Sequence, residues 1–219
     1  MAIIPSDVDV QRVFRSPHLK GLGGFKPIPQ TQDHTCGAAC VAAVIRHLGG
    51  SSNEGQAAQV MGTNRVVGTK AEEIVAYLKG RSFKARGYFN VPLRAVIDRA
   101  VAGRISIVGW NDYDGHWVVV AGVEPVMKVI VLADPARARS HFACHTWDTF
   151  EQHWQCHVLG RGKRYEHLAI FVDVYNRAVK YYKKRTDRDR TAPKWGSRIA
   201  DYLHAAPGRG ERAAERSGA

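Results

Sequence analysis

The chain has 219 residues, 45% of them hydrophobic, and these values predict one globular domain with appendages. No stretch approaches the roughly 20 apolar residues of a membrane helix. The N-terminus has neither the basic region nor the apolar run of a signal peptide, so we expect a cytoplasmic protein.

The formal net charge is +12, and it is unevenly distributed. Residues 161–219 hold 15 lysines and arginines against 7 acidic residues, whereas residues 1–160 hold 17 against 13. A basic extension of this kind is typical of a solvated tail or of a contact with an acidic partner or nucleic acid. Because no known nucleic-acid motif accompanies the charge, nucleic-acid binding is not the function that the sequence favours.

The first half of the chain predicts an irregular arm followed by helices. Prolines and glycines recur through residues 1–27, which we expect to form an N-terminal arm. Apolar periodicity and glycine stops predict three helices, over residues 36–48, 69–80 and 92–102. A capping box at Thr69–Glu72 is expected to open the second helix, and Asn90 to cap the third.

The second half of the chain predicts a sheet. β-Branched runs separated by turn-rich stretches predict antiparallel strands, over residues 105–110, 116–123, 129–133 and 168–172. Further helices are predicted over residues 148–154 and 174–185. Helices followed by a sheet indicate an α+β fold in which the central N-terminal helix packs on the sheet. We expect a basic C-terminal helix within residues 173–190 and a disordered tail over 191–219.

Cys36 is the strongest candidate for a reactive group. The four cysteines permit disulfides, but a reducing compartment argues against them. Cys36 opens the apolar helix, where free backbone N–H groups and the helix dipole favour a thiolate, while Cys40 is expected to be a packing residue. Gly37 is expected to let a substrate approach the backbone, and the Cys36 N–H to bind an oxyanion.

His116 and Asp134 are the predicted partners of Cys36. His116 opens a strong strand directly after a polar turn, where its ring can project into a cleft and act as the base. Asp134 ends the next strand, so a hairpin of the two strands makes His116 and Asp134 cross-strand neighbours. A slip of one residue in the register would break this arrangement.

These residues resemble the motifs of the C39-type, papain-like cysteine peptidases. Residues 30–40 resemble the family signature, in which a glutamine lies six residues before the Cys-Gly pair of the central helix. Residues 115–120 resemble the histidine motif and residues 133–135 the acidic motif. The resemblance extends over residues 28–158 and includes the segments 68–78 and 147–154.

The resemblance implies a papain-like cysteine peptidase domain over residues 28–172. It implies hydrolysis of a peptide or isopeptide bond through a thioester, without cofactor or metal, with Gln30 donating a side-chain N–H to the oxyanion and Gln32 as second choice. The best-known members cleave leader peptides after a double glycine and are fused to a membrane transporter. This sequence shows no transporter part, and it has Thr35 where members commonly carry aspartate.

The sequence leaves several alternatives open. The same fold could serve an amide-acting transferase or deamidase, or a non-catalytic basic binding module. The histidines and cysteines of residues 141–157 suggest zinc, although their spacing fits no standard finger. Gly23-Gly24 is a candidate self-processing site, but glycines in a loop are more often hinges.

Overall fold

A computed structural model describes residues 4–110, 115–137, 141–157 and 164–174. The helices are α1 (Val10–Phe14), α2 (Cys36–His47), α3 (Glu54–Val60), α4 (Ala71–Gly80), α5 (Leu93–Val101) and α6 (Trp147–His153). The strands are β1 (Lys20–Gly21), β2 (Phe83–Tyr88), β3 (Ile105–Trp110), β4 (His116–Glu124), β5 (Val129–Ala133), β6 (Phe142–Thr146), β7 (Gln155–His157), β8 (Arg164–Glu166) and β9 (Ala169–Val174). The predicted C-terminal helix and tail lie outside the described residues, except that Asp173 and Val174 belong to β9.

The predicted α+β class is confirmed. The main sheet is antiparallel, in the order β2-β9-β3-β4-β5-β6, with β1 pairing to β4 and a separate β7-β8 pair. All nine residues of β4 are buried because both faces of the sheet are covered. One face packs on α2 and the N-terminal arm, and the other packs on α5 and α6.

Helix α2 is the centre of the larger core. Its first ten residues, Cys36–Ile45, are all buried, which explains why the sequence is apolar around the whole helix. Four small alanines at positions 38, 39, 42 and 43 let neighbouring elements approach the helix closely. The helix therefore fixes the position of Cys36 at its N-terminal end.

The predicted helix starts were wrong in two places. Lys70, not Thr69, is the N-cap of α4 and makes no side-chain cap, because the Thr69 hydroxyl instead contacts the Thr63 hydroxyl at 2.8 Å. Pro92 is the N-cap of α5, and Asn90 lies before it with a φ of 53°, in the left-handed region that asparagine tolerates.

The N-terminal arm is more regular than its prolines and glycines predict. Asp9 caps α1 by accepting from Gln11 N at 2.8 Å. Gly21 pairs with Gly122 in β4, and a Cβ on Gly21 would lie 2.4 Å from the Ala121 carbonyl oxygen. Glycine is therefore required for this close approach of the arm to the sheet.

Candidate active site

Cys36 lies at the N-terminal end of α2 and borders a surface cleft. Its N-cap, Thr35, makes no side-chain hydrogen bond to the first turn, and the first helical bond runs from Ala39 N to Thr35 O. The N–H groups of the first turn have no intrahelical acceptor, so the end of the helix attracts negative charge. Cys36 is only 3% exposed, but it belongs to the lining of the cleft.

The His116 ring is held by Asp134. Nε2 of His116 lies 2.7 Å from Oδ1 of Asp134, and both residues are 3% exposed. Nδ1 of His116 is buried and makes no well-aligned hydrogen bond to a described residue. The neighbouring Cys36 side chain helps to raise the pKa of this ring. Asp134 therefore orients the imidazole through Nε2 and leaves Nδ1 without a hydrogen-bond partner among the described residues.

The strand register accounts for this contact in an unexpected way. Near Asp134, Val119 pairs with Ala133, so His116 is a diagonal neighbour of Asp134, not the residue directly opposite. The register shifts between Val120 and Gly122, which makes Ala121 the extra residue of a β-bulge. Diagonal partners on one face lie about 7–8 Å apart at their Cα atoms, within reach of a histidine.

The electrostatics of the pair favour a charged imidazolium. Burial opposes the charge, but the Asp134 hydrogen bond and the neighbouring Cys36 outweigh it and raise the pKa of His116 to about 9. Burial likewise opposes the charge of Asp134, yet His116, the Ala136 N–H and Arg137 lower the pKa of Asp134 below its usual value. The arrangement stabilises a carboxylate beside a protonated ring at neutral pH.

Two groups that hold Asp134 were not predicted from the sequence. Ala136 N donates to Asp134 Oδ1 at 3.0 Å, and Arg137 Nε lies 3.4 Å from Oδ2. Both residues follow the Asp134-Pro135 turn, where an aspartate commonly accepts a backbone bond two residues on. That turn signal could have predicted the Ala136 contact, whereas the position of Arg137 depends on tertiary packing.

The Gln30 side chain lies in the loop that precedes α2. Its Nε2 donates to the Gln32 carbonyl oxygen at 2.9 Å, and its backbone N–H donates to the Pro135 carbonyl oxygen at 3.0 Å. The second bond ties this loop to the segment that carries Asp134. Gln32, the second choice, is exposed and borders the cleft.

Gly37 has a packing role, and its predicted role in substrate approach stays a prediction. A Cβ at this position would lie 2.7 Å from Thr69 Cβ and 3.0 Å from Trp117 Cδ1. The Trp117 indole also donates to the Thr69 carbonyl oxygen at 2.8 Å. Glycine at position 37 thus lets α2 approach the start of β4, and this approach brings the Cys36 and His116 segments together.

Cys40 is a packing residue, as predicted. It is 2% exposed, and its thiol donates to the Trp117 carbonyl oxygen at 3.1 Å. Burial, together with the charges of Cys36 and Asp134, raises the pKa of Cys40 well above its usual value. Cys40 therefore stays a thiol and adds a second link between α2 and β4.

The cleft beside Cys36 has a volume of about 590 Å³. It lies between the loop before α2 and a short loop before α4. The lining residues are Thr31, Gln32, Asp33, His34, Cys36, Arg65, Val66, Val67, Gly68 and Gly115. Asn64 braces the second loop by accepting from Val66 N and Val67 N at 3.0 and 3.1 Å.

The histidines and cysteines of residues 141–157 do not gather into a metal site within the part of the chain that the structure describes. Cys144 and His145 are adjacent in β6 and point to opposite faces of the sheet. The Cys144 thiol belongs to the α2 core, while the His145 ring packs on Trp110 at 5.1 Å. The side chains of Cys156 and His157 lie outside this description.

Gly23-Gly24 does not occupy the cleft. The preceding residue pair, Lys20–Gly21, is bound to Gly122 and Val123 near the far end of β4, roughly 20 Å from His116 at about 3.3 Å per residue. Phe25, which follows, packs against His47 at the opposite end of α2 from Cys36. In this conformation the double glycine cannot reach the Cys36 of its own chain.

Comparison with known proteins is consistent with this geometry. The chain is 23% identical to the peptidase domain of Streptococcus ComA, a bifunctional ABC transporter, with a TM-score of 0.56 over 69% of this chain and 99% of that domain. A double glycine motif protease from an AMS/PCAT transporter, solved with its leader peptide, is 18% identical, with a TM-score of 0.55 over 71% of this chain and 95% of that one. These likenesses show a shared fold.

An uncharacterised protein of Methanothermobacter marburgensis is 30% identical over 118 residues, which cover 54% of this chain and 77% of that protein. The family model of the Peptidase C39 family matches residues 24–164. Together with the fold, this match suggests cysteine peptidase activity. The chain belongs to the Peptidase C39 family.

Proposed function

We propose that this protein is a cysteine peptidase in which Cys36 is the nucleophile, His116 the general acid and base, and Asp134 the residue that orients His116. The observation that carries the proposal is the His116 ring, bound through Nε2 to Asp134 at 2.7 Å with Nδ1 left for Cys36. This is the arrangement that the logic of catalytic triads requires.

The proposed reaction has two steps. The Cys36 thiolate attacks the substrate carbonyl carbon, and His116 gives its Nδ1 proton to the departing amine as the C–N bond breaks. Water then attacks the thioester, His116 takes a proton from that water, and the C–S bond breaks to restore the thiolate. The Gln30 side-chain N–H and the Cys36 backbone N–H are the proposed oxyanion donors.

The proposed substrate is a peptide lying extended in the cleft. The cleft runs past Cys36 between two backbone loops, and its volume of about 590 Å³ is enough for several residues of peptide. The double glycine motif protease with a related fold was solved with a leader peptide.

Among the described residues no helix is long and apolar enough to cross a membrane.

A cytoplasmic location is part of the proposal. Cys36, Cys40 and Cys144 are free thiols, as a reducing compartment favours. The basic C-terminal segment lies outside the described residues, so an acidic or nucleic-acid partner for it stays a prediction.

The proposal is tested by labelling the cysteines and then by measuring the cleavage of peptide libraries. Iodoacetamide at pH 7 should label wild-type protein rapidly at Cys36 and should not label Cys36→Ala. Cys40 should stay unreactive because it does not line the cleft and its thiol donates to the Trp117 carbonyl oxygen. Peptide libraries should then be cleaved by wild type and left intact by Cys36→Ala. Product analysis with an added amine separates the alternatives: an amide product would indicate a transferase, and full biological activity of Cys36→Ala would indicate a binding module.

A further inference from the structure

Glu54 is a buried carboxylate that the proposed mechanism does not use. It begins α3 and is 6% exposed. Its Oε1 accepts from Thr31 N at 2.7 Å and is in close contact with the Thr35 hydroxyl. Because a buried carboxylate needs donors to offset its lost hydration, these two bonds fix both ends of the loop 31–35 to one oxygen atom.

The contact with Glu54 changes the usual role of Thr35. A threonine at an N-cap normally accepts from the backbone of the first turn, as Thr146 does for α6 by accepting from Thr149 N at 3.2 Å. Thr35 makes no such bond. Its hydroxyl contacts Glu54 Oε1 and, at 2.9 Å, the Gln32 carbonyl oxygen, and it accepts from Gln32 N at 3.2 Å. The first-turn N–H groups beside Cys36 therefore stay available to a substrate oxygen.

The same loop orients Gln30. The Gln32 carbonyl oxygen accepts from Thr35 N at 3.1 Å and from Gln30 Nε2 at 2.9 Å. The position of this carbonyl is set by the loop that Glu54 holds. Glu54 is thus connected to both proposed oxyanion donors, the Gln30 amide and the N-terminal end of α2.

We infer that Glu54 is a positioning residue that holds the 31–35 loop so that the Gln30 side chain and the start of α2 can bind the oxyanion. The inference rests on the proposed function of Cys36. It does not require contact between Glu54 and substrate. The His116–Asp134 pair is held by other bonds, so the loss of Glu54 should impair oxyanion binding while the nucleophile stays reactive.

Two reagents separate these effects. p-Nitrophenyl acetate is attacked at its carbonyl carbon, passes through an oxyanion, and leaves an acetyl thioester on Cys36 with release of p-nitrophenolate. Iodoacetamide is attacked at its CH₂ carbon with loss of iodide and forms no oxyanion. The ratio of the two rate constants therefore reports oxyanion binding separately from thiolate reactivity.

In Glu54→Ala we expect the rate constant of acylation to fall about 10- to 100-fold, which is a smaller loss than the removal of an oxyanion donor causes. The rate constant of alkylation should stay within about 2-fold of wild type. Thr35→Val should behave in the same way. Glu54→Gln and Thr35→Ser, which keep the acceptor and the hydroxyl, should restore most of the acylation. Glu124→Ala is the matched control, because Glu124 is fully buried and accepts from the Ser16 hydroxyl at 2.7 Å, far from Cys36.

Each result decides a different question. Wild-type acylation rates in folded Glu54→Ala would overturn the inference, and so would equal losses of acylation and alkylation. If Glu54→Ala does not fold, Thr35→Val decides by the same criteria. If wild-type Cys36 is neither acylated nor rapidly alkylated, the proposed function itself fails.

Discussion

His116 and Asp134 lie on the same face of the β4–β5 ribbon because β4 carries one extra residue. Near the turn, Glu124 pairs with Val129, and that register continued unbroken would place Val119 opposite Asp134 and His116 on the other face. The shift at Ala121 returns His116 to the same face as Asp134 and so allows the 2.7 Å contact between the two side chains.

The bulge predicts that activity depends more on the number of residues in β4 than on the side chain at position 121. Deleting Ala121 should turn His116 away from Asp134 and lower peptide cleavage and Cys36 acylation at least 100-fold, in line with the loss of a triad contact. Ala121→Gly removes the same methyl group but keeps the bulge, so it should retain most of the activity. A folded deletion variant, judged by circular dichroism, that is as active as Ala121→Gly would contradict this account.

Asp134 should control the titration of His116. Burial opposes the charge of His116, and Asp134 together with Cys36 raises the pKa of His116 to about 9. Asp134→Asn should therefore lower that pKa toward 6.5. NMR titration of isotope-labelled histidines measures it directly, with Asp98→Asn, an exposed surface change, as control. A His116 pKa still near 9 in Asp134→Asn would show that another group stabilises the charge.

The same pKa has a consequence for stability. His116 binds its proton more tightly in the folded state than at the ordinary pKa of about 6.5, so its stabilising contribution is complete below pH 6.5. That contribution is lost as the pH rises through about 9.

Much of this site was predictable because its residues sit at element ends. Cys36 opens an apolar helix, His116 opens a strand and Asp134 follows one, and the structure keeps all three boundaries. Local patterns of this kind predict both the helix or strand and the place of the residue at its end. The catalytic roles of these residues stay predictions.

Other features depend on contacts between distant segments, which local patterns do not encode. The bulge at Ala121 is accompanied by a bond from Leu22 N to the Ala121 carbonyl oxygen, 99 positions apart in sequence, at 2.8 Å. Glu54 acts on a loop about twenty residues before it. The packing role of Gly37 depends on Thr69 and Trp117, neither of which is near it in sequence.

Gly37 therefore gives a prediction that separates packing from substrate access. The methyl group of Gly37→Ala would press on Thr69 and Trp117, and overpacking of this kind costs about 1–3 kcal/mol of unfolding free energy. Gly80→Ala, in α4 with nothing within 4 Å of the added Cβ, should be neutral or stabilising. Urea denaturation of both variants measures the difference. Unchanged stability of Gly37→Ala with lost activity would support the role in substrate approach.

His47, unlike His116, should make the fold less stable at acid pH. Burial lowers the pKa of His47, which packs on Phe25 at 5.2 Å, to about 4. Between pH 6.5 and 4 the unfolded chain binds a proton at this residue and the folded chain does not, so stability falls as the pH falls through that window. This window lies below that of His116, whose stabilising effect changes between pH 6.5 and about 9.

His47→Gln should therefore reduce the loss of unfolding free energy at acid pH (the acid limb) and leave the pH dependence at alkaline pH (the alkaline limb) unchanged. Urea denaturation at pH 7 and 4.5 should show a loss of unfolding free energy that is about 1–2 kcal/mol smaller than in wild type, while the alkaline limb is unchanged. His18→Gln, at an exposed position, should leave both limbs as they are. Burial also lowers the pKa of His145 to about 4, so part of the acid limb should persist in His47→Gln. An acid limb identical to wild type would mean that His47 accepts its proton without unfolding, with the ring leaving Phe25 for solvent at the end of α2.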